Sequence, residues 1–230
     1  MRTRDKVSIG WLDPGVVDGM FAMSIASVYA QRLGRIDALL RVESGGLLSR
    51  GRNELVDRFM TTSTAEWLLM LDADEQLSLD AFDKLINAVH DTKRPIVAGV
   101  YMGAWPGEFY PQAVPLIFTR VPDSTRFVPI MDYPVDTVIP IDSAGTGCLM
   151  IHRSVFEAFQ AEAGPHEGRS WCWFRDMPVN GDWFSEDHFF CARAIELGFP
   201  IFAHTGATLP HRKRFWLTEA HHLASRGGTA

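Results

Sequence analysis

The chain has 230 residues, 47% of them hydrophobic, and a formal net charge of −6. This size and apolar content suffice for one large domain or two closely packed halves. The negative charge and the lack of long Lys/Arg runs argue against a general affinity for nucleic acid. Three cysteines without C-x-x-C spacing argue against a disulfide framework or a zinc knuckle. With no apolar run near about 18 residues and no signal-peptide core, we expect a soluble, cytoplasmic protein without a transmembrane segment.

The first third of the chain predicts alternating strands and helices. Strands are predicted over residues 7–12, 37–42 and 67–71. The first intervening helix has apolar residues at helical spacing: Phe21, Ile25, Val28, Tyr29 and Leu33. The second has Leu55, Val56, Phe59 and Met60. This β-α-β-α-β order is typical of a nucleotide-binding α/β half, but neither G-x-G-x-x-G nor G-x-x-x-x-G-K-[ST] occurs, so no dinucleotide cofactor is expected.

Two carboxylates follow the third predicted strand. Five apolar residues, 67–71, indicate a strand covered on both faces, and Asp72 and Asp74 come directly after it. Ligands of open α/β sheets bind outside the carboxyl ends of the strands, so a phosphate-bound divalent cation fits there. The alternative is a solvated turn, with Ser78 capping the next helix.

The chain changes character in its middle. After a strand over residues 96–101, residues 102–141 contain many prolines and short apolar runs, which predict extended segments and loops shaping a substrate pocket. Trp105, Phe109 and Tyr110 offer flat faces for sugar rings or for ordinary packing. Gly145 and Gly147 next allow either a close backbone approach to a ligand or a bulge, before a strand and a helix capped by Ser154.

Two later stretches carry further candidate residues. Ser185 is a good N-cap that places Glu186 and Asp187 in the first turn of a helix, where carboxylates suit the helix dipole or act as a base towards a hydroxyl. A strand over residues 200–204 leads to His211. A lone histidine in a polar loop is often incidental, but imidazole added to paired carboxylates suits a manganese-type ion. The basic residues 212–214 balance diphosphate charge.

The order of these features resembles the GT-A glycosyltransferases, especially small stand-alone, bacterial or phage-like members similar to family 2. The resemblance covers most of residues 7–211. It implies an α/β fold of the nucleotide-diphospho-sugar transferase type, a Rossmann-type three-layer sandwich with a mixed, mostly parallel central sheet. It also implies one GT-A domain over residues 1–230, with a nucleotide-sugar-binding half (7–75), an acceptor-binding half (76–215) and a C-terminal tail (216–230).

The resemblance further implies a metal-dependent glycosyltransferase of the hexosyltransferase type, which moves a sugar from a nucleotide-diphosphate sugar to an acceptor hydroxyl. The acceptor is a protein, a glycan or a lipid, and the location is the host cytoplasm if the chain is phage-encoded. Carried over residue by residue, the ligands of Mn²⁺ or Mg²⁺ are Asp72, Asp74 and His211. The donor site comprises Asp13, Glu43, Arg52, Asp72, Gly145 and Gly147, with Arg52 approaching the diphosphate. The catalytic base is Asp187, with Glu186 as the alternate.

Three other interpretations stay open at this point. A nucleotidyltransferase has a similar opening but more often a Gly-rich basic loop after its first strand, for which Asp13-Pro14-Gly15 is a poor substitute. A metal-dependent hydrolase typically uses more histidine ligands. A non-catalytic sugar- or nucleotide-binding module explains the aromatic residues and glycines but not Glu186 and Asp187. The stereochemistry of a transfer, inverting or retaining, is open as well.

Overall fold

The computed structural model describes residues 6–105, 112–163, 173–179, 181–214 and 219. Its helices are α1 (Gly19–Gln31), α2 (Leu48–Thr62), α3 (Leu79–Ala88), α4 (Arg153–Ala163) and α5 (Glu186–Glu196). Its strands are β1 (Val7–Asp13), β2 (Ile36–Glu43), β3 (Trp67–Asp72), β4 (Ile96–Val100), β5 (Met102–Trp105), β6 (Gln112–Pro115), β7 (Ile117–Arg120), β8 (Phe127–Pro129), β9 (Val138–Ile141), β10 (Ser143–Ala144), β11 (Cys148–His152), β12 (Met177–Val179), β13 (Asp182–Phe184) and β14 (Ile201–Thr208).

The centre of the molecule is a seven-stranded sheet in the order β2-β1-β3-β11-β4-β14-β9. Strands β2, β1, β3, β4 and β14 run in one direction, and β11 and β9 run in the other. The sheet is therefore mixed and mostly parallel, as predicted. Because the carboxyl ends of the five codirectional strands meet at one edge, the side chains that follow them are brought together there.

Helices cover both faces of this sheet. Alternate residues of β3 show the two faces, since side chains on a strand point to opposite sides. Leu68 and Met70 pack in a core cluster with α2, α4 and α5, whereas Leu69 and Leu71 pack with α1 and α3 on the other side. Apolar residues cover β3 on both sides, which confirms the interpretation of its unbroken apolar run. The architecture is the predicted three-layer sandwich.

Several predicted boundaries differ in the structure. Helix α1 ends at Gln31, and Tyr29 and Leu33 are exposed because the buried face of this helix is carried by Phe21, Ile25 and Val28. Helix α4 begins at Arg153, so Ser154 lies inside the helix instead of capping it. Residues 102–141 contain the short strands β5 to β9. Strand β14 extends beyond the prediction, to Thr208.

Some predictions fall outside the described residues. Phe109 and Tyr110 lie there, as does the predicted tail 216–230 apart from residue 219. Trp105 is described, at the end of β5, with a side chain 44% exposed. None of the helices within the described ranges has the length and apolarity that crossing a bilayer requires.

Candidate functional site

The strand ends form the base of the candidate site. Asp13 pairs with Glu43 across β1 and β2, and Leu12 pairs with Asp72 across β1 and β3, so all three carboxylates lie at the same edge. Strand β11 runs in the opposite direction, and the Asp72 backbone N–H donates to the carbonyl of Gly147 at 2.9 Å. The start of β11 therefore lies at the edge where the codirectional strands end.

Asp13 and Glu43 lie at this edge as predicted, but the structure gives Asp13 a local role. Its carboxylate accepts hydrogen bonds from the Arg41 side chain and from the Gly15 backbone N–H at 2.7 Å. The hydrogen bond from Arg41 lowers the pKa of Asp13 against the effect of desolvation. Neither Asp13 nor Glu43 is among the described residues that line the neighbouring cavity, whereas Ser44 is.

A cavity of about 730 Å³ opens above these strand ends. The apolar part of the lining is Leu12, Pro14, Val16, Val17 and Leu48. The charged part is Asp18, Asp72, Asp74, His211, Arg212, Lys213 and Arg214. Asp18 pairs with Arg212, and the Lys213 ammonium lies 3.7 Å from Asp74. A lining that combines apolar side chains with a group of cations suits a ligand with a flat base and an anionic end.

His211 is held with one ring nitrogen available. Its Nδ1 lies 2.8 Å from the carbonyl oxygen of Met102, and because a carbonyl only accepts, Nδ1 carries the proton. In neutral His211 the lone pair is therefore on Nε2, as in most metal-bound histidines. Nε2 is buried and forms no hydrogen bond with a described residue, although Asp74 Oδ1 lies 3.2 Å away.

Three side chains form a candidate metal site. One ligand atom each from Asp72, Glu75 and His211 lies within 4.8 Å of the other two. The set contains two of the predicted ligands, Asp72 and His211, and adds Glu75, which sequence reasoning missed. Asp74 is not in this set; it contacts His211 and its side chain is 44% exposed. Two carboxylates and an imidazole suit Mn²⁺, and the carboxylates also suit Mg²⁺.

The electrostatics of Asp74 and Glu75 differ. Burial favours the neutral form of Asp74, but the contact with His211 and the charge of Lys213 outweigh it and lower its pKa. Glu75 is 1% exposed. Burial, with the charges of Asp72 and Asp74, raises the pKa of Glu75 well above its usual range. Asp74 thus faces water and cations, whereas Glu75 faces the interior.

Arg52 links Asp72, one of the candidate metal ligands, to the start of α5. Its side chain is 5% exposed; Nη1 contacts Glu186 and lies 2.7 Å from Asp187 Oδ1, and Nη2 lies 3.7 Å from Asp72 Oδ1. These carboxylates raise the pKa of Arg52 despite its burial. The guanidinium is therefore occupied by protein carboxylates, and the cations that line the cavity are those of residues 212–214.

Glu186 and Asp187 lie in the first turn of α5, as predicted, with Ser185 at the N-cap position but without a capping hydrogen bond from its side chain. Burial, and then the charge of Asp187, raise the pKa of Glu186 to about 7, against the effect of Arg52. Asp187 Oδ1 also accepts a hydrogen bond from Thr146 Oγ1 at 2.7 Å. No described residue hydrogen-bonds to Asp187 Oδ2.

The glycine segment forms a turn between β10 and β11. A Cβ at Gly145 would overlap the Tyr101 hydroxyl, and a Cβ at Gly147 would overlap Glu75. The Gly147 N–H donates to Tyr101 Oη at 2.9 Å. These positions lack side chains because Tyr101 and Glu75 pack directly against the backbone, which is a structural reason for both glycines.

The contacts of His188, the residue after Asp187, could not be predicted from the sequence. His188 stacks on Phe127 at 4.6 Å between ring centroids, meets Phe118 edge-on, and lies 2.7 Å from Ser143 Oγ through Nδ1. These contacts join α5 to β7, β8 and β10. Phe118 and Phe127 of the proline-rich segment therefore pack against the start of α5, next to Asp187.

Comparisons with known proteins define the fold. No protein-family model matches the chain, and no curated protein matches it. Among solved structures, A197 from STIV superposes with a TM-score of 0.54 at 14% identity, over 91% of this chain and 86% of that one. GalNAc-T7, solved with UDP, GalNAc and Mn²⁺, superposes with a TM-score of 0.53 at 10% identity, over 91% of this chain. This chain spans 44% of the length of that protein.

The likeness establishes the fold class, which is that of the GT-A glycosyltransferases, and confirms that prediction. Sequence identities of 14% and 10% establish a shared fold but not a shared function. Membership of family 2 stays a prediction, as do the roles of the site residues.

Proposed function

We propose that this protein is a metal-dependent glycosyltransferase that moves a sugar from a nucleotide-diphosphate sugar to an acceptor hydroxyl. The proposal is supported chiefly by one observation: the candidate metal ligands, a buried arginine and the Asp187 carboxylate form one connected group beside the cavity. A non-catalytic binder needs the cavity but has no use for a carboxylate held rigidly beside it.

The donor fits the cavity by its chemistry. The apolar residues of the lining, including Leu12 and Leu48, accommodate the nucleoside, and Arg212 and Lys213 neutralise the diphosphate. Because their side chains are 52% and 41% exposed, these cations can exchange Asp18 and Asp74 for phosphate oxygens. The structural neighbour GalNAc-T7 was solved with UDP, which makes uridine diphosphate sugars the first donors to test.

Asp72 and His211 are candidate metal ligands together with a third carboxylate, which is Asp74 in the prediction from sequence and Glu75 in the cluster described above, and the residues present fit Mn²⁺ or Mg²⁺ because His211 Nε2 is buried without a hydrogen bond. When bound, the cation supplies Lewis-acid neutralisation of the leaving diphosphate. Arg52 holds Asp72 near the strand end, so this chain positions its carboxylate before the cation arrives.

Asp187 is the proposed base. Its Oδ1 is held by Arg52 and Thr146, each at 2.7 Å, which fixes the orientation of the carboxylate. Oδ2 accepts the proton as the acceptor oxygen attacks the anomeric carbon, where the bond to the leaving diphosphate breaks. Glu186, with a pKa of about 7, is the alternate.

The test combines binding and turnover. Thermal unfolding is measured with a panel of nucleotides and nucleotide sugars, with and without Mn²⁺; a donor at about 100 times its dissociation constant adds about 2.7 kcal/mol. Release of nucleoside diphosphate then separates a transferase from a binder. Asp187→Asn is expected to keep donor binding and to lose at least about 100-fold in turnover. Glu196→Gln, at the exposed end of the same helix, is the matched control.

The result against this proposal is a saturating panel that produces neither a Mn²⁺-dependent shift nor diphosphate release. If the wild type binds a donor without turnover, and Asp187→Asn binds it equally well, the protein is a binding module.

A further inference from the structure

Glu75 is a buried acid without an explained role in the fold. It lies one residue beyond the Asp72-Ala73-Asp74 motif, in the segment that bridges to His211, and is 1% exposed. Both of its carboxylate oxygens are buried and form no hydrogen bond with a described residue. Buried acids without a partner are rare, because removing a carboxylate from water is strongly unfavourable unless something replaces the lost interactions.

We infer that Glu75 is a direct ligand of the divalent cation and that the protein ligands are Asp72, Glu75 and His211, with Asp74 outside the direct coordination. This inference rests on the proposed function, which supplies the cation. It changes the predicted ligand set at one position and explains why two unpartnered oxygens are kept close to Asp72 and His211, which line the cavity.

The distances support coordination. Oxygen and nitrogen ligands lie about 2.1 Å from Mg²⁺ or a similar ion, so two ligands on opposite sides are about 4.2 Å apart. The three ligand atoms lie within 4.8 Å of one another, so small side-chain movements close the set on one ion. Three protein ligands leave about three positions of an octahedral ion for diphosphate oxygens and water.

The surrounding residues hold Glu75 towards this point. Oε1 occupies the space that a side chain at residue 147 would need, so Gly147 allows the close approach. The Nδ1–H of His211 is used by the Met102 carbonyl, which leaves Nε2, like both oxygens of Glu75, without a hydrogen bond. The Glu75 carboxylate and His211 Nε2, both buried and without a hydrogen bond, thus belong to one cluster, and a β-bridge joins their segments.

Asp74 has different surroundings. Its side chain is 44% exposed, and its oxygens contact His211 and Lys213. A half-exposed carboxylate that already has two cationic or polar neighbours needs no metal for its stability. We therefore assign Asp74 to the electrostatic balance of the cavity, beside Lys213.

The experiment is a calorimetric titration of Mn²⁺, alone and with saturating uridine diphosphate, into the wild-type protein and three variants. Glu75→Gln keeps the shape but not the charge, and Glu75→Asp keeps the charge but shortens the side chain. Both are expected to weaken Mn²⁺ binding about tenfold or more. Asp74→Asn is the matched control and is expected to change it by less than about threefold, because this carboxylate is screened by water.

A second readout is independent of activity. Without Mn²⁺, Glu75→Gln should unfold at the same or a higher temperature than the wild type, because a buried acid has been removed. With Mn²⁺, the stabilisation of the wild type should exceed that of the variant. If Glu75→Gln does not fold, Glu75→Asp decides by its Mn²⁺ affinity alone.

The outcomes separate the two proposals. If both Glu75 variants bind Mn²⁺ as the wild type does, or if Asp74→Asn loses more affinity than they do, Glu75 is not a ligand, and Mn²⁺-dependent transfer by the wild type still supports the proposed function. If the wild type binds no Mn²⁺ under either condition and releases no diphosphate, both proposals are overturned.

Discussion

Replacing Arg52 with methionine tests the network that joins the two sides of the candidate site. Methionine fills most of the space but leaves the carboxylates of Asp72, Glu186 and Asp187 without their shared cation. Removing one partner of a buried ion pair costs about 3–5 kcal/mol. Since Asp72 and Asp187 are 34% and 23% exposed, water screens part of the repulsion. We therefore expect a loss of about 3 kcal/mol in the free energy of unfolding at pH 8.

This loss should shrink at lower pH. The pKa of Glu186 is raised from 4.5 to about 7 by burial and by Asp187, even with Arg52 present, and removing the cation raises it further. A folded-state pKa above the unfolded value means that the folded protein binds the proton more tightly. Stability is then fully present below about pH 4.5 and falls as the pH rises through the folded pKa. Arg52→Met should accordingly approach the wild type at pH 5.

The assay is urea unfolding of the wild type, Arg52→Met, Glu186→Gln and the double variant at pH 5 and pH 8. The double variant should show a coupling energy of about 0.5–3 kcal/mol, because the two side chains are in contact. Arg58→Met is the control: this arginine is on the same helix, is 43% exposed and pairs with Glu54, a contact worth about 0.3–0.5 kcal/mol. A loss below about 1 kcal/mol for Arg52→Met, equal at both pH values, would refute the reasoning.

Two further substitutions test the glycine segment and the donor cavity. Gly147→Ala should lower the free energy of unfolding by about 1–3 kcal/mol, because its Cβ would lie 2.7 Å from Tyr101 Oη; Gly19→Ala, with no atom within 4 Å of its Cβ, should leave stability unchanged or slightly higher in the same chemical denaturation experiment. Arg212→Gln should weaken nucleoside diphosphate binding about tenfold by calorimetry, because one charge-assisted hydrogen bond to the diphosphate is lost. The loss is limited because in the wild type Arg212 must first give up its ion pair with Asp18. Stability unchanged in Gly147→Ala, or affinity unchanged in Arg212→Gln, would contradict the corresponding assignment.

The sequence predicted those features whose signals are local. The unbroken apolar run before Asp72 marked a buried strand, and Ser185 marked the start of α5, because both patterns depend on neighbouring residues. Arg52 is different. Its partner Glu186 is 134 residues away, so no spacing along the chain could show that the guanidinium is buried among carboxylates.

The burial of Glu75, the direction of β11 and the pairing of Asp13 could not be predicted, and the causes are similar. Glu75 follows a motif that looks like a solvated turn, and residues 147 and 211, which lie against it in the fold, come from distant segments of the chain. The direction of β11 was equally hidden, since an apolar run indicates a strand but not its orientation. For Asp13, the strand end was predicted correctly, but its pairing with Arg41 on β2 required the register of two strands.

The reversed direction of β9 has a consequence for how this fold changes over time. The chain leaves the sheet at the end of β4, Val100, and re-enters at the start of β9, Val138, and both points lie at the same edge of the sheet. A segment anchored in this way can grow or shrink without altering the register of any central strand, and doubling its length costs only about 0.6 kcal/mol in loop-closure entropy. In the described parts of this connection, residues 103–105 and 112–137, changes in length can therefore alter the recognition surface while the strand ends that carry Asp13 and Asp72 keep their places.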